Sequence, residues 1–333
     1  MINKEELFTY VPPKAARLSV CSACQLDCPA CEPHAHSVAG KKNGVLGWGY
    51  MRAKDFAAFI RSNPSIKTIE ISHSGEIFLN PELGLIIKDA FEQNVTLTAG
   101  TGVNLNKVSE QMCEDLVKYR FQEIKVAIDG ADQKTYAIYR RGGNFDQVIH
   151  NIKRINFYKE KYKSQFPILE WQFIPFSHNE HQILIAKKMA MELNMKFKVK
   201  LNARVDYAPI KNKELIRKMT PSGAATRDEH QEKHATSVGI SCHELWLYPQ
   251  INWNGMMTGC CANYFENVGN VFEQGLEAVM KSERYVEMKK AVLGISAPSK
   301  DIPCSQCPIY FSVPKDVRIR STLRSLVTGR THG

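Results

Sequence analysis

Ten cysteines, nine of them in two groups about two hundred residues apart, constrain this 333-residue chain more than any other feature. The first group is Cys21, Cys24, Cys28 and Cys31. The second is Cys242, Cys260, Cys261, Cys304 and Cys307, and Cys113 stands alone between them. Scattered pairs in a secreted chain would suggest disulfides. The N-terminal sequence MINKEELFTYVPPK, however, lacks the basic stretch and apolar run of a secretory signal, and the longest apolar runs fall far short of a membrane span. The expected compartment is the cytoplasm, with no membrane partner. In a reducing cytosol, clustered cysteines bind metal or do chemistry. Two groups imply two sites.

Between the groups, strand-like and helix-like segments alternate. Residues 17–23, 66–72, 95–98, 123–128, 169–175 and 197–201 read as strands, the first running straight into the first cysteine group. Helical sequence separates them: residues 51–62, a segment opened by Pro81, residues 109–120 with Ser109 as cap, and much of 133–162, broken at Gly142-Gly143. A last helix carries Ala186, Met189, Ala190 and Leu193 on one face. Six strand–helix repeats predict an α/β fold, a partial (β/α)6 TIM-type barrel over residues 1–207. Such barrels carry their sites at the C-terminal ends of the strands. Residues 208–240 are polar and without clear period, and read as a linker or mobile loop. Residues 241–314 read as a small second domain and 315–333 as a basic tail.

Cys24-x3-Cys28-x2-Cys31 follows the first strand directly. Three thiolates within eight residues can wrap three irons of a four-iron cluster and leave the fourth open to a ligand. A zinc ribbon would need two Cys-x2-Cys pairs about 15–20 residues apart. The stretch Cys24-Gln-Leu-Asp-Cys28-Pro-Ala-Cys31 resembles the signature of the radical S-adenosylmethionine (SAM) superfamily. The resemblance implies a [4Fe–4S] cluster on these three cysteines, with the open iron chelating the amino and carboxylate groups of SAM. One electron then releases a 5′-deoxyadenosyl radical, which removes a hydrogen atom from a substrate.

The resemblance covers roughly residues 15–205 and extends to single positions. Ser74-Gly75-Glu76 resembles the Gly-Gly-Glu motif that meets the cofactor's amino group: a Gly lets backbone approach, and a Glu pairs an ammonium. Arg140 with Gly142-Gly143 resembles a stretch whose Arg meets the cofactor carboxylate. Ala127-Ile128-Asp129-Gly130 resembles a Ser-Ile-Asp-Gly segment, with Asp129 either a cofactor contact or a turn residue. Thr98-Ala99-Gly100 stands where Thr-Asn-Gly is usual, which carries over Thr98 and nearby Thr101. Two further positions depart from the family: Ala127 replaces the usual Ser, and Ala30 stands where an aromatic often touches adenine.

The second group reads Cys242-x12-Gly255-x4-Cys260, then Cys304-x2-Cys307. Gly255 permits a tight turn between two short strands, bringing Cys242 and Cys260 together. Four thiolates suit a fully coordinated [4Fe–4S] cluster, or a zinc ion on ligand count alone. The pattern resembles the SPASM and twitch domains of many radical SAM enzymes. With no cysteine after Cys307, the resemblance implies the twitch arrangement, one auxiliary [4Fe–4S] cluster. Cys113 shares a helix face with Leu116 and Val117 and reads as a core thiol, and Cys21 reads as packing. Cys261 would face away from its ligand neighbour in an extended segment, and is the candidate catalytic thiol, a hydrogen donor. Arg204, at the end of the sixth strand, is the candidate substrate ligand. His34 and His36 either line the substrate cavity or sit in an exposed loop.

The net charge of +10 suits an acidic substrate or an acidic redox partner. No basic block of the kind that grips nucleic acid stands out, the most basic stretch being residues 315–330. Twitch relatives include enzymes that dehydrogenate or epimerise carbohydrates. The resemblance therefore implies a small-molecule substrate, a sugar or aminocyclitol, and an electron donor such as flavodoxin or ferredoxin. Only 23 residues precede Cys24, fewer than the peptide-recognition domain many peptide maturases carry there. A peptide-modifying maturase is the alternative enzyme. A non-catalytic iron–sulfur or zinc protein is the alternative of another class.

Overall fold

The computed structural model describes residues 7–31, 46–204, 206–234, 242–264 and 266–328, so His34 and His36 lie outside the described residues. Strands β1 (Ala15–Leu18), β2 (Thr68–Glu70), β3 (Thr96–Val103), β4 (Glu123–Ala127), β5 (Ile168–Phe173) and β6 (Lys196–Val199) pair in chain order, all parallel. Helices α1 (Ala53–Ser62), α2 (Leu83–Glu92), α3 (Glu110–Lys118), α4 (Gln133–Tyr139), α5 (Phe145–Lys161) and α6 (Ile183–Glu192) alternate with them. This is the partial (β/α)6 barrel the sequence predicts. A parallel sheet buried on both faces requires near-continuous apolar strands. Leu18, Ile69, Leu97, Ile124, Val126, Leu169, Trp171 and Phe173 are all buried. Three of these helices begin where a side chain satisfies one of the first N–H groups: Ser109 accepts from Met112 N, Asp132 from Thr135 N and Asn144 from Gln147 N.

The segment read as a linker or mobile loop instead carries α7 (Lys213–Met219) and α8 (Arg227–His234). Its entry is tied to the barrel, because Lys211 N and Asn212 N donate to the Glu180 carboxylate at 2.8 and 3.1 Å. Asn212 caps α7 through Leu215 N, and Ile216, Ala224 and Ala225 are buried. Glu229 joins the two helices by accepting from Arg217 at 2.7 and 3.0 Å and from Ala225 N at 2.9 Å. One buried apolar residue in the first helix and two in the connection to the second leave no visible period, so polar composition masked the helices.

Beyond α9 (Glu244–Leu247), β7 (Gln250–Ile251) adds to the free edge of β1 in parallel, and β8 (Met257–Gly259) returns antiparallel to β7. The sheet order is β6-β5-β4-β3-β2-β1-β7-β8. The C-terminal region therefore continues the barrel's sheet. Between β7 and β8, Gly255 has φ +82°, and a side chain there would collide with Asn270 and Phe272. The basic tail is helical over Lys315–Thr328. Its Arg318 lies 3.8 Å from the Tyr310 ring centroid and donates to the carbonyls of Tyr310 and Val292. Among the described residues, no helix is long and apolar enough to cross a membrane.

Candidate active site and cluster pocket

The C-terminal ends of β1 to β6 surround a cavity of about 180 Å³. The loop after β1 contributes Cys24, Cys28 and Cys31, and the loop after β2 contributes His73, Gly75 and Glu76. Gly75 has φ +63°, and a Cβ there would lie 2.5 Å from the Ala23 carbonyl oxygen. Only glycine lets these two loops meet, and Glu76 N then donates to Ala23 O at 2.7 Å. That contact seats Glu76 beside the thiols.

Glu76 is 1% exposed. Its Oε2 accepts from Asn104 N at 2.6 Å, while Oε1 is buried without a partner. Burial pushes its pKa up to about 7. A buried carboxylate with an open acceptor costs free energy until a cation or donor meets it. The ammonium of an amino-acid ligand has that chemistry.

Two N–H donors are aimed at the first thiol group. Arg140 Nη1 lies 3.8 Å from Cys28 Sγ, and Asn104 Nδ2 lies 3.7 Å from Cys24 Sγ. Arg140 is held by Asp129, whose Oδ2 accepts from Nε at 2.6 Å and whose Oδ1 accepts from Ile174 N at 2.7 Å. Burial pushes Cys24 up to about 12 and raises Cys28, against the lowering influence of Arg140. Thiols so buried keep their protons until a metal draws them off. Donors facing the sulfurs suit thiolates. Three thiols from one loop, open on one side to a polar cavity, fit a [4Fe–4S] cluster with one iron free.

The structure redistributes several expected contacts. Gly75, Glu76, Thr101 and Arg140 line the cavity as expected. Ser74 does not: the turn at Gly75 sends it back toward β1, where its Oγ lies 3.3 Å from Ser19 Oγ. Thr98 bonds the Tyr248 side chain, while Thr101, at the strand end, reaches the cavity. Asp129 is fully buried and acts through Arg140. Arg204 is exposed and lies outside the cavity, because the chain leaves the barrel at Lys200, which occupies the end of β6. His73, Asn104, Gln172 and Lys200 are cavity residues that sequence reasoning missed. Their signal was position, since each stands at or just beyond the C-terminal end of a strand.

Cys242, Cys260, Cys304 and Cys307 line a second, enclosed pocket walled by Leu245, Met288, Val292 and Ile309. Burial pushes Cys304 up to about 12 and raises Cys242 and Cys260 as well. The four thiols ring this pocket, and among the described residues no three Cys, His, Asp or Glu side chains converge closely enough to hold a single metal ion. Cys113 and Cys21 are buried, Cys113 within the main hydrophobic core. Cys261 lines neither pocket. It lies on the seam with the barrel: its N donates to Glu244 Oε2 at 2.7 Å, and its backbone accepts from the His73 ring.

Streptococcus suis SuiB bound to S-adenosylmethionine superposes with a TM-score of 0.63 at 16% identity, covering 92% of this chain and 73% of SuiB. SuiB bound to precursor peptide SuiA gives 0.62 at 16%, covering 92% and 72%. Residues 242–308 match the SPASM family, an iron–sulfur cluster-binding domain. The chain has the radical SAM fold and carries a SPASM domain. The SPASM match opens at Cys242 and includes all four thiols of the enclosed pocket. The chain also has a looser likeness to BtrN in complex with AdoMet and 2-DOIA, with a TM-score of 0.48 at 14% identity over 88% of this chain and 93% of BtrN. No curated protein matches the sequence.

Proposed function

We propose that this radical SAM protein reductively cleaves S-adenosylmethionine in the barrel cavity and dehydrogenates a small polar substrate, a sugar or aminocyclitol. The observation that carries the reading is the buried, unpartnered Oε1 of Glu76 in a cavity shared with the thiols of Cys24, Cys28 and Cys31. Cys24, Cys28 and Cys31 would hold the open cluster, and Cys242, Cys260, Cys304 and Cys307 the auxiliary one. When bound, the clusters and SAM supply a 5′-deoxyadenosyl radical for hydrogen abstraction and an acceptor for the electron left behind.

The chain's own residues bind and orient. Glu76 meets the cofactor ammonium, which offsets the cost of its burial. Arg140, fixed by Asp129, presents its guanidinium to the cofactor carboxylate while donating toward Cys28. Thr101 is held in place at the cavity wall by Ser72 Oγ and Glu70, which accept from its N–H at 3.2 and 3.3 Å. Gln172 offers a hydrogen-bonding edge to a hydroxylated substrate, and His73, already bonded to the Tyr264 hydroxyl and the Cys261 backbone, shapes the wall beside it. An acidic one-electron donor of the flavodoxin or ferredoxin type complements the +10 charge.

Dehydrogenation is preferred to epimerisation because Cys261 does not line the cavity, and a hydrogen donor must touch the substrate radical. A second reading, a peptide substrate, is favoured by the fold shared with SuiB, which binds precursor peptide SuiA. The test is anaerobic incubation with SAM, reductant and a panel of sugars and aminocyclitols, followed by mass spectrometry. The expected result is deoxyadenosine together with a substrate product two hydrogens lighter. A product found only on an added peptide would favour the second reading, and no deoxyadenosine under any condition would overturn both.

A further inference from the structure

Turning an alcohol into a carbonyl removes a hydrogen atom from carbon, a proton from oxygen and an electron. The deoxyadenosyl radical accounts for the hydrogen atom and the auxiliary cluster for the electron, which leaves the proton. Its acceptor must be a cavity side chain with a lone pair free to hold it.

The titratable side chains that line the cavity are the three thiols, His73, Glu76, Tyr139, Arg140 and Lys200. All but Lys200 are excluded by their surroundings. Under the proposed function the thiols hold the cluster and Glu76 meets the cofactor ammonium. Arg140 is paired with Asp129 at 2.6 Å, and a guanidinium offers no lone pair. Burial raises the pKa of Tyr139 and so keeps its phenol protonated. His73 Nε2 lies 3.3 Å from the Tyr264 hydroxyl, and its ring also bonds the Cys261 backbone. Burial pushes His73 well below its ordinary pKa, so it would not keep a proton.

Lys200 remains. It is half-buried just beyond β6, and its Nζ donates to the Thr101 carbonyl oxygen at 3.4 Å. Gln172 Nε2 donates to the same carbonyl at 3.5 Å. The shared acceptor sets the amine beside the side chain that offers an edge to substrate hydroxyls. Burial pushes the Lys200 amine down to about 8, the charges of Arg227, Arg140 and Lys125 acting in the same direction and Asp129 against them. Burial of this kind is what turns a lysine into a base.

We propose that Lys200 is the catalytic base of the dehydrogenation, taking the substrate's hydroxyl proton as the carbonyl forms. The inference rests on the dehydrogenase reading of this cavity and deepens it. The O–H bond breaks with its pair left on oxygen, and the lone pair of Nζ forms the new N–H bond. The C=O bond is complete once the electron has gone.

The first test needs no substrate. Trace acetylation of the reconstituted protein with acetic anhydride, read by peptide mass spectrometry across pH, follows the neutral form of each amine. Lys200 should react with a midpoint near 8, against about 10.4 for surface lysines. A midpoint near that of the surface lysines, or no reaction at any pH, would overturn the proposal, because a proton acceptor must be neutral and within reach.

The second test uses whichever sugar or aminocyclitol of the panel turns over, deuterated at carbon. Product formation by wild type should rise with pH through about 8, as the amine loses its proton. Lys200→Met and Lys200→Arg should each lose that rise and about a hundredfold or more of the product. Both should still pass deuterium from the substrate to deoxyadenosine, which does not need the amine and shows that the variants fold. Arginine keeps the charge but cannot act as a base, so rescue by Lys200→Arg would make the residue a charged anchor and overturn the proposal. Absence of deoxyadenosine from wild type, with the acetylation midpoint near 8, would sink the enzymatic reading alone.

Discussion

The two cysteine sites use the same donor atom in opposite surroundings. In the barrel, three thiols share a cavity with Glu76, Arg140, Gln172 and Lys200, so a metal held there faces polar groups able to fix a ligand. In the SPASM domain, four thiols are walled by Leu245, Met288, Val292 and Ile309. A fourth thiol in place of an open position, and an apolar wall in place of a polar one, describe a site closed to substrate. Under the proposed function, the contrast is one of catalytic against structural or electron-transfer metal, as it is for zinc sites with and without an open position.

The sharpest way to break this contrast is to empty one site. Replacing Cys24, Cys28 and Cys31 together with Ala should remove about half of the iron and sulfide, as two four-iron clusters require, and abolish deoxyadenosine formation. Iron and sulfide analysis beside chromatography of the products checks both. Retention of deoxyadenosine by this variant would mean that the open site had been assigned to the wrong cysteines.

A second prediction concerns the seam that joins the sites. Arg17 on β1 lies 2.8 Å from Glu244 Oε1 and 3.4 Å from Glu70 Oε2. Glu244 also accepts from Cys261 N, next to Cys260 of the SPASM pocket, and Glu70 accepts from Gly100 N and Thr101 N at the cavity wall. One buried chain of charges thus spans both sites. Arg17→Met would leave two buried carboxylates without their cation, at a cost of about 3–5 kcal/mol. Denaturant unfolding should show that loss. The double variant Arg17→Met/Glu244→Gln should recover part of it, because the SPASM-side charge goes with its partner.

Much of this contrast was legible in the sequence, for a physical reason. Cluster ligands must lie close together, so their spacing survives in the chain, and six buried parallel strands leave apolar runs that periodicity detects. Gly75 was legible as well, because a glycine at a strand end beside a Glu marks close backbone approach. What stayed hidden was tertiary. Nothing in the residues 250–251 says that two residues would add to β1, since a strand so short carries no pattern. Lys200 is an ordinary cation in a chain with 44 Lys and Arg, and only the fold brings it to the cavity wall. Arg204 is the sequence's candidate although Lys200 stands at the strand end, because sequence places the end of a strand only to within a few residues.

A third prediction uses Glu76 to sharpen the polar character of the open site. The unfolded carboxyl titrates near 4.5, whereas burial in the cofactor-free fold moves it to about 7. Between those values the unfolded chain ionises while the folded one holds its proton. Wild-type stability should therefore fall as pH rises through that window, by at most about 3 kcal/mol. Glu76→Gln should lack this slope, matching wild type near pH 4.5 and exceeding it at pH 8 in urea unfolding of the cofactor-free protein. The same variant should bind SAM about tenfold or more weakly, through loss of a charge-assisted contact. Tight SAM binding by Glu76→Gln would remove Glu76 from the cofactor cradle.

The smallest expected effect is at Cys261, and it decides what becomes of the substrate radical. An epimerase must return a hydrogen atom to the opposite face of the carbon, and a thiol that does so exchanges with water. A dehydrogenase instead gives up an electron and a proton, and needs no donor. Cys260 faces the SPASM pocket and its neighbour Cys261 does not, because the chain turns just after β8, with Asn263 N donating to Cys260 O at 3.3 Å. The turn leaves Cys261 on the seam, fastened through its backbone to Glu244 and to His73. His73, not the thiol, reaches the cavity wall. Cys261→Ala should accordingly keep its iron content, its SAM cleavage and most of its substrate turnover. In deuterated water, the wild-type product should be two hydrogens lighter and free of solvent deuterium at carbon. An epimer carrying deuterium from wild type, with deoxyadenosine but no epimer from Cys261→Ala, would reverse this assignment. It would make Cys261 the donor and require the seam to open during turnover.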